Sequence, residues 1–262
     1  MIRVGVGGWT FPPWRGVFYP DGLPQARELE YASRRLTACE INGTYYSLQK
    51  PASFAKWARE TPDDFVFTVK ASRFCTNRKV LGDGQEAIAR FVGQGLSELG
   101  SKLGPILWQL MGTKRFDPDD IAAFFALLPR EVGGLPLRHA IQPRHESFLD
   151  PAFVALARAA NVAIVYADSE SYPALADVTA DFVYARLESC QAPISTGYPP
   201  EALDVWAEVA TTWAEGGAPE GLPYLDPTPP PPAARDTFVF FISGAKVRAP
   251  AAATGLIERL RT

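Results

Sequence analysis

The sequence predicts an α/β fold, a (β/α)8 barrel that forms a single domain over residues 1–262. Eight short apolar runs typical of buried strands recur along the chain, and all but the sixth are followed by a helical pattern. Eight β/α units in roughly 250 residues are what a closed parallel barrel requires. An open doubly wound sheet would need a glycine-rich phosphate turn after the first strand, and Gly5-Val6-Gly7-Gly8 lacks the GxGxxG spacing. The barrel is therefore favoured.

The first half of the chain alternates regularly. Strands are predicted at 2–6, around Glu40, at 65–70 and at 106–110, and helices at 24–36, 51–60 and 88–99. A long aromatic and proline-rich loop, 9–20, follows the first strand. Two interpretations of its Trp9, Trp14 and Tyr19 stay open: they plug one end of the barrel, or they line a ligand cavity.

The second half repeats the pattern. Two Asp-Pro pairs, Asp117-Pro118 and Asp150-Pro151, supply an N-cap and a first-turn proline, so each predicts the start of a helix. Strands are predicted at 138–142, 163–168, 182–188 and 238–242, and helices at 203–213 and 250–260. Residues 216–235, with the tract Pro229-Pro230-Pro231-Pro232, are interpreted as an extended surface excursion, because a strand and a helix still follow them.

Composition narrows the function classes. A net charge of −3 and a pI near 5.5 give no general attraction to nucleic acid or to anionic membranes. The three cysteines have no CxxC spacing, which favours a reducing compartment. No run approaches eighteen apolar residues, so we expect a cytoplasmic protein without a membrane span.

Polar residues interrupt the predicted strands at or near their C-terminal ends, where barrels of this type carry their active sites. Strand alternation places Glu40 on the opposite face from Cys39 and Ile41. The same alternation predicts a lumen-facing set: Glu40, Asn42, Thr68, Lys70, Gln109, Gln142, Arg144, Tyr166, Asp168, Tyr184, Arg186 and Glu188. Barrel interiors are usually filled by branched aliphatics, so this set indicates a pocket for a small polar ligand. The alternative is a satisfied polar network that only closes the barrel.

Several motifs can be compared with a known family. They include Gly8-Trp9, Trp14 to Pro20, Glu40 to Tyr46, Leu103 to Leu110, Arg144 to Phe148, Ala167 to Ser169, and Val183 to Arg186. Together they resemble the YecE-like family, catalogued as domain of unknown function 72, over nearly the whole chain. The resemblance implies a TIM-barrel fold with a mouth built from these positions. It implies no reaction, because the family's biochemical role is not established.

The chain departs from that family's usual pattern at four places. Asn77 stands where members commonly have histidine, and Gln142 where a glutamate usually precedes the arginine. Glu188-Ser189 replaces a common His-Gly, and Ser243 replaces a common asparagine. Two candidate proton-transfer groups are thereby missing. The reaction then uses Glu40, Lys70 and Asp168, or this branch has a modified or weakened activity.

The leading hypothesis is an enzyme, a hydrolase, lyase or isomerase without a redox cofactor, that uses general acid/base chemistry on a small anionic or sugar-like substrate. Glu40 or Asp168 would be the base, and Lys70 would stabilise developing negative charge. Residues expected to bind the substrate are Trp9, Trp14, Asn42, Tyr45, Gln109, Gln142, Arg144, Tyr184 and Arg186. The two arginines of that set would form an anion-binding site for a carboxylate or phosphate.

Alternatives remain open at this point. Lys70 could form a Schiff base, since a lysine surrounded by apolar residues can have a depressed pKa. Glu40 and Asp168 could flank a glycosidic bond as a carboxylate pair. The chain could also be a non-catalytic small-molecule binding barrel with a degenerate site. We predict no cofactor and no metal; isolated histidines do not suit zinc or iron, although a carboxylate-bound magnesium stays open.

A nucleic-acid-processing protein is a further alternative. Arg73, Arg78 and Lys79 would then form a phosphate-contacting loop beside the mouth. The acidic chain and the lack of a metal cluster in the sequence argue against it. The oligomeric state is not indicated by the sequence.

Overall fold

Eight parallel strands pair edge to edge until the sheet closes on itself in the computed structural model of the chain, which describes residues 1–226, 228 and 231–261. In chain order they are β1 (Ile2–Gly7), β2 (Ala38–Ile41), β3 (Val66–Lys70), β4 (Leu103–Gln109), β5 (His139–Gln142), β6 (Val162–Asp168), β7 (Phe182–Leu187) and β8 (Asp236–Phe241). Each strand pairs with its neighbours in sequence, and β1 pairs with β8 from Ile2 opposite Thr237 to Val6 opposite Phe241. The predicted (β/α)8 TIM barrel is confirmed.

Helices lie between most of the strands. They are α1 (Glu28–Ser33), α2 (Gly43–Tyr46), α3 (Pro51–Glu60), α4 (Arg73–Thr76), α5 (Gln85–Val92), α6 (Pro118–Leu127), α7 (Pro151–Ala160), α8 (Pro200–Ala214) and α9 (Ala249–Arg259). Both predicted Asp-Pro helix starts are confirmed, because the Asp117 and Asp150 carboxylates accept hydrogen bonds from backbone N–H groups of the first turn. No helix lies in residues 169–181 between β6 and β7, as the sequence predicted.

The prediction of one continuous helix over residues 88–99 is wrong. This stretch is split into α5 and a 3-10 segment, Leu96–Lys102, with a left-handed Gly95 (φ 113°) between them. A Cβ at Gly95 would lie 2.7 Å from the Cα of Pro51, so only glycine fits this close contact with the start of α3. The apolar spacing of 88–99 therefore marks one buried face that two helices share.

The lumen is filled by one alternate set of strand residues. Its apolar part consists of Ala38, Leu107, Ala140, Ala163, Val165, Phe182, Phe238 and Phe240. On β6 the predicted orientation is wrong: Ala163 and Val165 face the lumen, and the Tyr166 ring packs against Trp206 and Trp213 of α8. Both alternate sets of residues on this strand are buried and nearly all apolar, so apolar-polar alternation could not show which set faces the lumen. The polar groups of Tyr166 and Asp168 led to the wrong assignment.

The aromatic loop after β1 packs in the outer core, between the barrel and its helices. Trp14 is fully buried, and its indole N–H donates to the Lys246 carbonyl oxygen at 2.9 Å. The Tyr19 hydroxyl donates to the carbonyl oxygen of Trp9 at 2.6 Å, and the Trp9 ring packs against Trp57 with centroids 5.1 Å apart. The expected role of Trp14 in lining a cavity is wrong because its ring is buried on all sides, and the plug of one barrel end stays a prediction.

The excursion before β8 is fastened to the segment between β6 and β7. The Asp177 carboxylate accepts hydrogen bonds from the backbone N–H groups of Leu225 (3.0 Å) and Asp226 (2.8 Å). Arg158 of α7 pairs with the Asp226 carboxylate. The excursion thereby covers the place where a helix is missing, and Pro229 and Pro230 of its proline tract lie outside the described residues.

Candidate active site

The centre of the lumen contains an ion pair between Glu40 of β2 and Arg186 of β7. Both side chains are buried, and the guanidinium makes two contacts with the carboxylate, Nη2 to Oε1 and Nε to Oε2, each 3.2 Å long. The Tyr184 hydroxyl donates to Glu40 Oε2 at 2.7 Å. Parallel strands bring these residues together because β2 and β7 lie on opposite sides of a narrow barrel, where inward side chains meet.

This environment keeps Glu40 ionised. Burial acts to raise the pKa of its carboxyl, but the positive charges of Arg186 and Lys70 and the hydrogen bonds from Tyr184 and Arg186 outweigh it, so the pKa is lowered. Burial and the Glu40 charge raise the pKa of the Tyr184 phenol well above its ordinary value, so this group stays a neutral donor. The Tyr184 oxygen in turn bonds with the Thr68 hydroxyl at 2.9 Å. Glu40 is a fully engaged acceptor and is poorly suited to act as a base.

Two amides continue the network towards the mouth. Gln142 Oε1 of β5 accepts from Arg186 Nη1 (2.7 Å) and from Gln109 Nε2 of β4 (2.8 Å). The same Arg186 nitrogen contacts Glu188 Oε1 at 3.0 Å. The Gln142 amide nitrogen is also buried, and it has no hydrogen-bond partner among the described residues. It is a donor available to a ligand.

Lys70 ends β3 beside this network without joining it. Its ammonium lies 4.6 Å from the centroid of the Tyr45 ring and has no hydrogen bond or ion pair among the described residues. Burial and the charge of Arg186 lower the pKa of Lys70 to about 8, against the opposing charge of Glu40, and Arg144 acts in the same direction as Arg186. An amine with such a pKa is partly neutral near physiological pH.

Arg144 follows β5 and lies across the mouth. Its guanidinium stacks over the Tyr172 ring at 4.2 Å, while its buried Nε has no hydrogen-bond partner in the part of the chain that the structure describes. Burial lowers the pKa of this arginine, which nevertheless stays charged. Tyr172 was not foreseen, because it lies in the irregular segment after β6, where no periodicity assigns a direction to a side chain.

Tyr45 is the wall of the mouth on the side of β2. Its hydroxyl contacts the side-chain amide of Asn77, whose nitrogen lies 3.2 Å away. Asn42 lies one turn earlier, and its amide nitrogen donates to the Glu40 backbone carbonyl oxygen at 3.4 Å. Tyr45 therefore lies beside Lys70 as a substrate-contacting residue would, whereas the amide of Asn42 is engaged with backbone.

Asp168 is not part of this cluster, although the sequence placed it there. Its carboxylate accepts a hydrogen bond from the Tyr198 hydroxyl at 3.0 Å, and Tyr198 packs against Phe241 outside the lumen. Trp9 packs against Trp57 and Trp14 against Phe11, in the outer core and away from this cluster. Of the residues predicted for the site, the structure brings together Glu40, Lys70, Gln109, Gln142, Tyr184 and Arg186, with Tyr45 and Arg144 at its edge.

Within residues 1–226, 228 and 231–261, no three His, Cys, Asp or Glu side chains are grouped so that they could hold one metal ion. None of the helices in the described part of the chain is long and apolar enough to cross a membrane. His139 is fixed in the outer shell, where its Nδ1 accepts from the Trp108 indole N–H at 3.1 Å.

Comparison with known proteins gives matches over the whole barrel. The profile of the family described as "Protein of unknown function DUF72" matches residues 3–262. A DUF72 family protein of Thermotoga maritima shares 23% identity with a TM-score of 0.76, and each chain is covered completely. One from Enterococcus faecalis V583 shares 17% identity with a TM-score of 0.71, covering 100% of this chain and 98% of that chain.

Two further matches are more distant or partial. The UPF0759 protein YunF of Bacillus subtilis (strain 168) is 24% identical over 158 residues, or 58% of this chain, and the match spans only about half of YunF, 54%. The crystal structure of SacUVDE has a TM-score of 0.56 at 9% identity, covering 98% of this chain and 99% of that one. At these identities the solved structures show the fold alone.

Proposed function

The chain belongs to the DUF72 family, and from that premise we propose that it is an enzyme that moves a proton on a small anionic substrate, with Lys70 as the proton-transfer group. The observation that carries the proposal is a pair of buried hydrogen-bond donors that have no partner among the described residues, Arg144 Nε and Gln142 Nε2, beside the half-buried ammonium of Lys70. Buried donors are rarely left unsatisfied in folded proteins, and a ligand acceptor would satisfy both.

The charge at the mouth supports an anionic substrate. Arg186 pairs with two carboxylates, Glu40 and Glu188, whereas Lys70 and Arg144 have no ion-pair partner among the described residues, so the three cations and two carboxylates together leave one net positive charge. A carboxylate or phosphate would neutralise this excess and accept from the Arg144 and Gln142 nitrogens. We therefore assign substrate binding to Arg144 and Gln142.

Lys70 is the best candidate for proton transfer because the carboxylates are engaged. Glu40 accepts three hydrogen bonds with a lowered pKa, and Asp168 lies outside the cluster. A pKa of about 8 lets the Lys70 amine accept a proton near neutral pH and return it as an ammonium. Proton abstraction next to a carboxylate or carbonyl group is the reaction class that these groups suit.

The neutral amine also suits the Schiff-base alternative. Imine formation would join Lys70 Nζ to the carbonyl carbon of a substrate and release the carbonyl oxygen as water. Treatment with small oxo-acids and borohydride, followed by mass spectrometry of the peptide that contains Lys70, separates the routes. A reduced adduct would assign covalent catalysis, and its absence in an active enzyme would assign simple proton transfer.

The test of the proposal begins with binding. Small carboxylates and phosphorylated metabolites are screened by thermal shift, and those that bind are assayed for proton exchange or turnover. We expect Lys70→Met to keep ligand binding and to lose turnover by about 10²- to 10⁴-fold, the usual contribution of a proton-transfer group. Arg144→Met should weaken binding instead, because it removes the cation that faces the ligand anion.

Lys56→Met is the matched control, since Lys56 is an exposed lysine on the outer helix α3. Retained turnover in Lys70→Met would refute the proposed role of Lys70. A wild-type chain that binds such anions without exchange or turnover would instead be the non-catalytic binding barrel, which the engagement of Glu40 and the departures Asn77, Gln142, Ser189 and Ser243 would then explain.

A further inference from the structure

Exposed apolar side chains are concentrated on residues 46–48 and 74–80, two segments that we call the rim. Phe74 exposes 63% of its surface and Tyr46 exposes 67%. With Leu48 and Val80, the rim contains four of the eight large apolar residues that are exposed in the described part of the chain. Folded chains seldom group such residues on a surface unless something binds there.

The rim is also basic, within an acidic chain. Positions 73–90, which include the second rim segment, contain four basic residues (Arg73, Arg78, Lys79 and Arg90) and two acidic ones (Asp83 and Glu86), whereas the net charge of the chain is −3. The Arg73 guanidinium lies 5.5 Å from the Phe74 ring centroid, and Arg78 Nε donates to the Phe74 carbonyl oxygen at 2.7 Å. Arg78 also donates to the Asp83 carbonyl oxygen, at 3.1 Å. Carbonyl oxygens carry no net charge, so these hydrogen bonds orient Arg78 without neutralising it.

A cavity of about 260 Å³ opens between the two segments. Its walls include the hydroxyl-bearing Ser47 and Ser72, the Phe74 ring, and the guanidinium-bearing Arg78 and Arg90. One acid, Glu86, also lines it. The cavity therefore combines a flat aromatic surface with cations and hydroxyl groups, which are the groups that contact a base and its phosphate.

From this combination we propose that the rim binds single-stranded nucleic acid. Phe74 and Tyr46 would stack on unpaired bases, and Arg73, Arg78 and Lys79 would contact the phosphates between them. Aromatic rings interspersed with cations suit a strand whose bases and phosphates alternate, whereas a protein partner would favour a continuous apolar patch. A duplex fits less well, because its bases are already stacked on one another.

The rim meets the barrel mouth at Tyr45. The Tyr45 ring lies beside Lys70, and its hydroxyl contacts Asn77, which lies in the second segment of the rim, 74–80. This contact holds helix α2 against the loop after α4, so the two segments of the rim keep a fixed spacing. The proposal does not depend on the Lys70 chemistry, since it rests on surface residues outside the lumen.

Fluorescence anisotropy with labelled oligo-dT, oligo-U and a DNA duplex tests the proposal on the full chain. We expect saturable binding of a single strand, tighter than binding of the duplex and weakened by salt. Phe74→Ala and Tyr46→Ala should each weaken it about tenfold, as loss of one base-aromatic stack does. Arg78→Ala and Lys79→Ala should each make the salt dependence less steep by about 0.7 in log affinity per log salt. The comparison of oligo-dT with oligo-U shows which sugar is preferred.

Arg130→Ala is the matched control, because it removes an exposed arginine before β5, at the opposite end of the barrel. It should leave the affinity unchanged, and circular dichroism should show that every variant is folded. Equal binding by Phe74→Ala and the wild-type chain would overturn the proposal, as would the absence of single-strand binding at low salt. Concentration-dependent self-association that Phe74→Ala abolishes would assign the rim to a second copy of the chain and would equally overturn it.

Discussion

The charged groups in the centre of the barrel lumen are paired with one another, whereas the cations at its mouth have no ion-pair partner among the described residues. In the centre, the Glu40 carboxylate accepts hydrogen bonds from Arg186 and Tyr184, and its pKa is lowered. At the mouth, Lys70 and Arg144 have no carboxylate partner among the described residues, and burial lowers the pKa of both. The central charges are neutralised by one another, whereas the outer ones are left for a ligand.

This difference separates a structural ion pair from a candidate site. Breaking a buried pair leaves an uncompensated charge and costs several kcal/mol. Removing a buried cation that has no ion-pair partner lowers the free energy of unfolding only slightly and can even raise it. The effect of each substitution on stability therefore tells which state a residue is in, independently of any substrate.

The largest effect is expected for Glu40→Gln. The substitution leaves the buried Arg186 without its principal counter-charge, so the free energy of unfolding should fall by about 3 kcal/mol or more. Urea denaturation measures the change. Glu188→Gln is the control, since Glu188 makes a single contact with Arg186 at the lumen edge and its loss should cost less. A Glu40→Gln chain as stable as wild type would show that the pair is not structural.

The next effect is a pH dependence due to Lys70, whose pKa falls from the usual 10.5 to about 8 in the folded chain. Between these pH values the unfolded chain binds more protons at this site than the folded chain. Wild-type stability should therefore rise with pH through this window, relative to Lys70→Met, by roughly 3 kcal/mol, because the shift of about 2.5 pKa units corresponds to about 1.4 kcal/mol per unit. Below pH 8 the difference in stability between the two chains should be constant. The wild-type chain is then destabilised by the full free-energy cost of holding Lys70 charged in its buried position.

Urea denaturation of the two chains at several pH values between 7 and 10.5 measures that difference. Other titrating groups cancel because both chains contain them. A difference that does not change with pH would mean that Lys70 is solvated like a surface lysine, and its proposed role at the mouth would lose its basis.

A smaller effect is expected for Tyr184→Phe. The hydroxyl donates to Glu40 and accepts from Thr68, so its removal leaves two buried groups short of a partner. The free energy of unfolding should fall by about 1–2 kcal/mol. Tyr45→Phe is the comparison at the mouth, where the hydroxyl contacts only Asn77 in an exposed position, and its loss should change stability by less than about 0.5 kcal/mol. Equal losses would contradict the contrast between centre and mouth.

The last effect, for Gln142→Glu, is expected in the pH-rate profile rather than in stability. The new carboxylate would still accept from Arg186 and would add a negative charge near Lys70, which raises the pKa of that amine. If the amine acts as a base, kcat/KM rises with pH through about 8 in the wild-type enzyme, and the midpoint should move upward in the variant. A pH-rate profile with an unmoved midpoint would indicate that Lys70 does not control the rate.

Much of the fold could be predicted because strand alternation and helix starts depend on residues that are close together in the sequence. The lumen positions of Glu40, Thr68, Gln109, Gln142 and Arg186 follow from period-two alternation, with a polar residue on one face and an apolar residue on the other. On β6 the same rule failed, since Val162, Ile164 and Val165 are all apolar and buried. The break between α5 and the following 3-10 segment was missed because it depends on contact between Gly95 and Pro51.

The candidate site could be predicted only in part for a similar reason. The sequence indicated which residues lie near the mouth, but it ranked Glu40 and Asp168 as bases ahead of Lys70. Asp168 is engaged by Tyr198, a residue thirty positions away that no periodic pattern relates to it. Trp14 illustrates the same limit, because only the tertiary structure shows that its ring is buried beside Lys246 and lines no cavity.

The sequence by itself determined the number of β/α units and the arrival of polar side chains at one end, because each follows from spacing within a few residues. Only the tertiary structure decided which of those side chains neutralise one another. Glu40 and Arg186 are 146 positions apart, and their pairing depends on the distance across the lumen between β2 and β7. Whether a buried charge is structural or available to a ligand depends on such distances, which local sequence patterns do not determine.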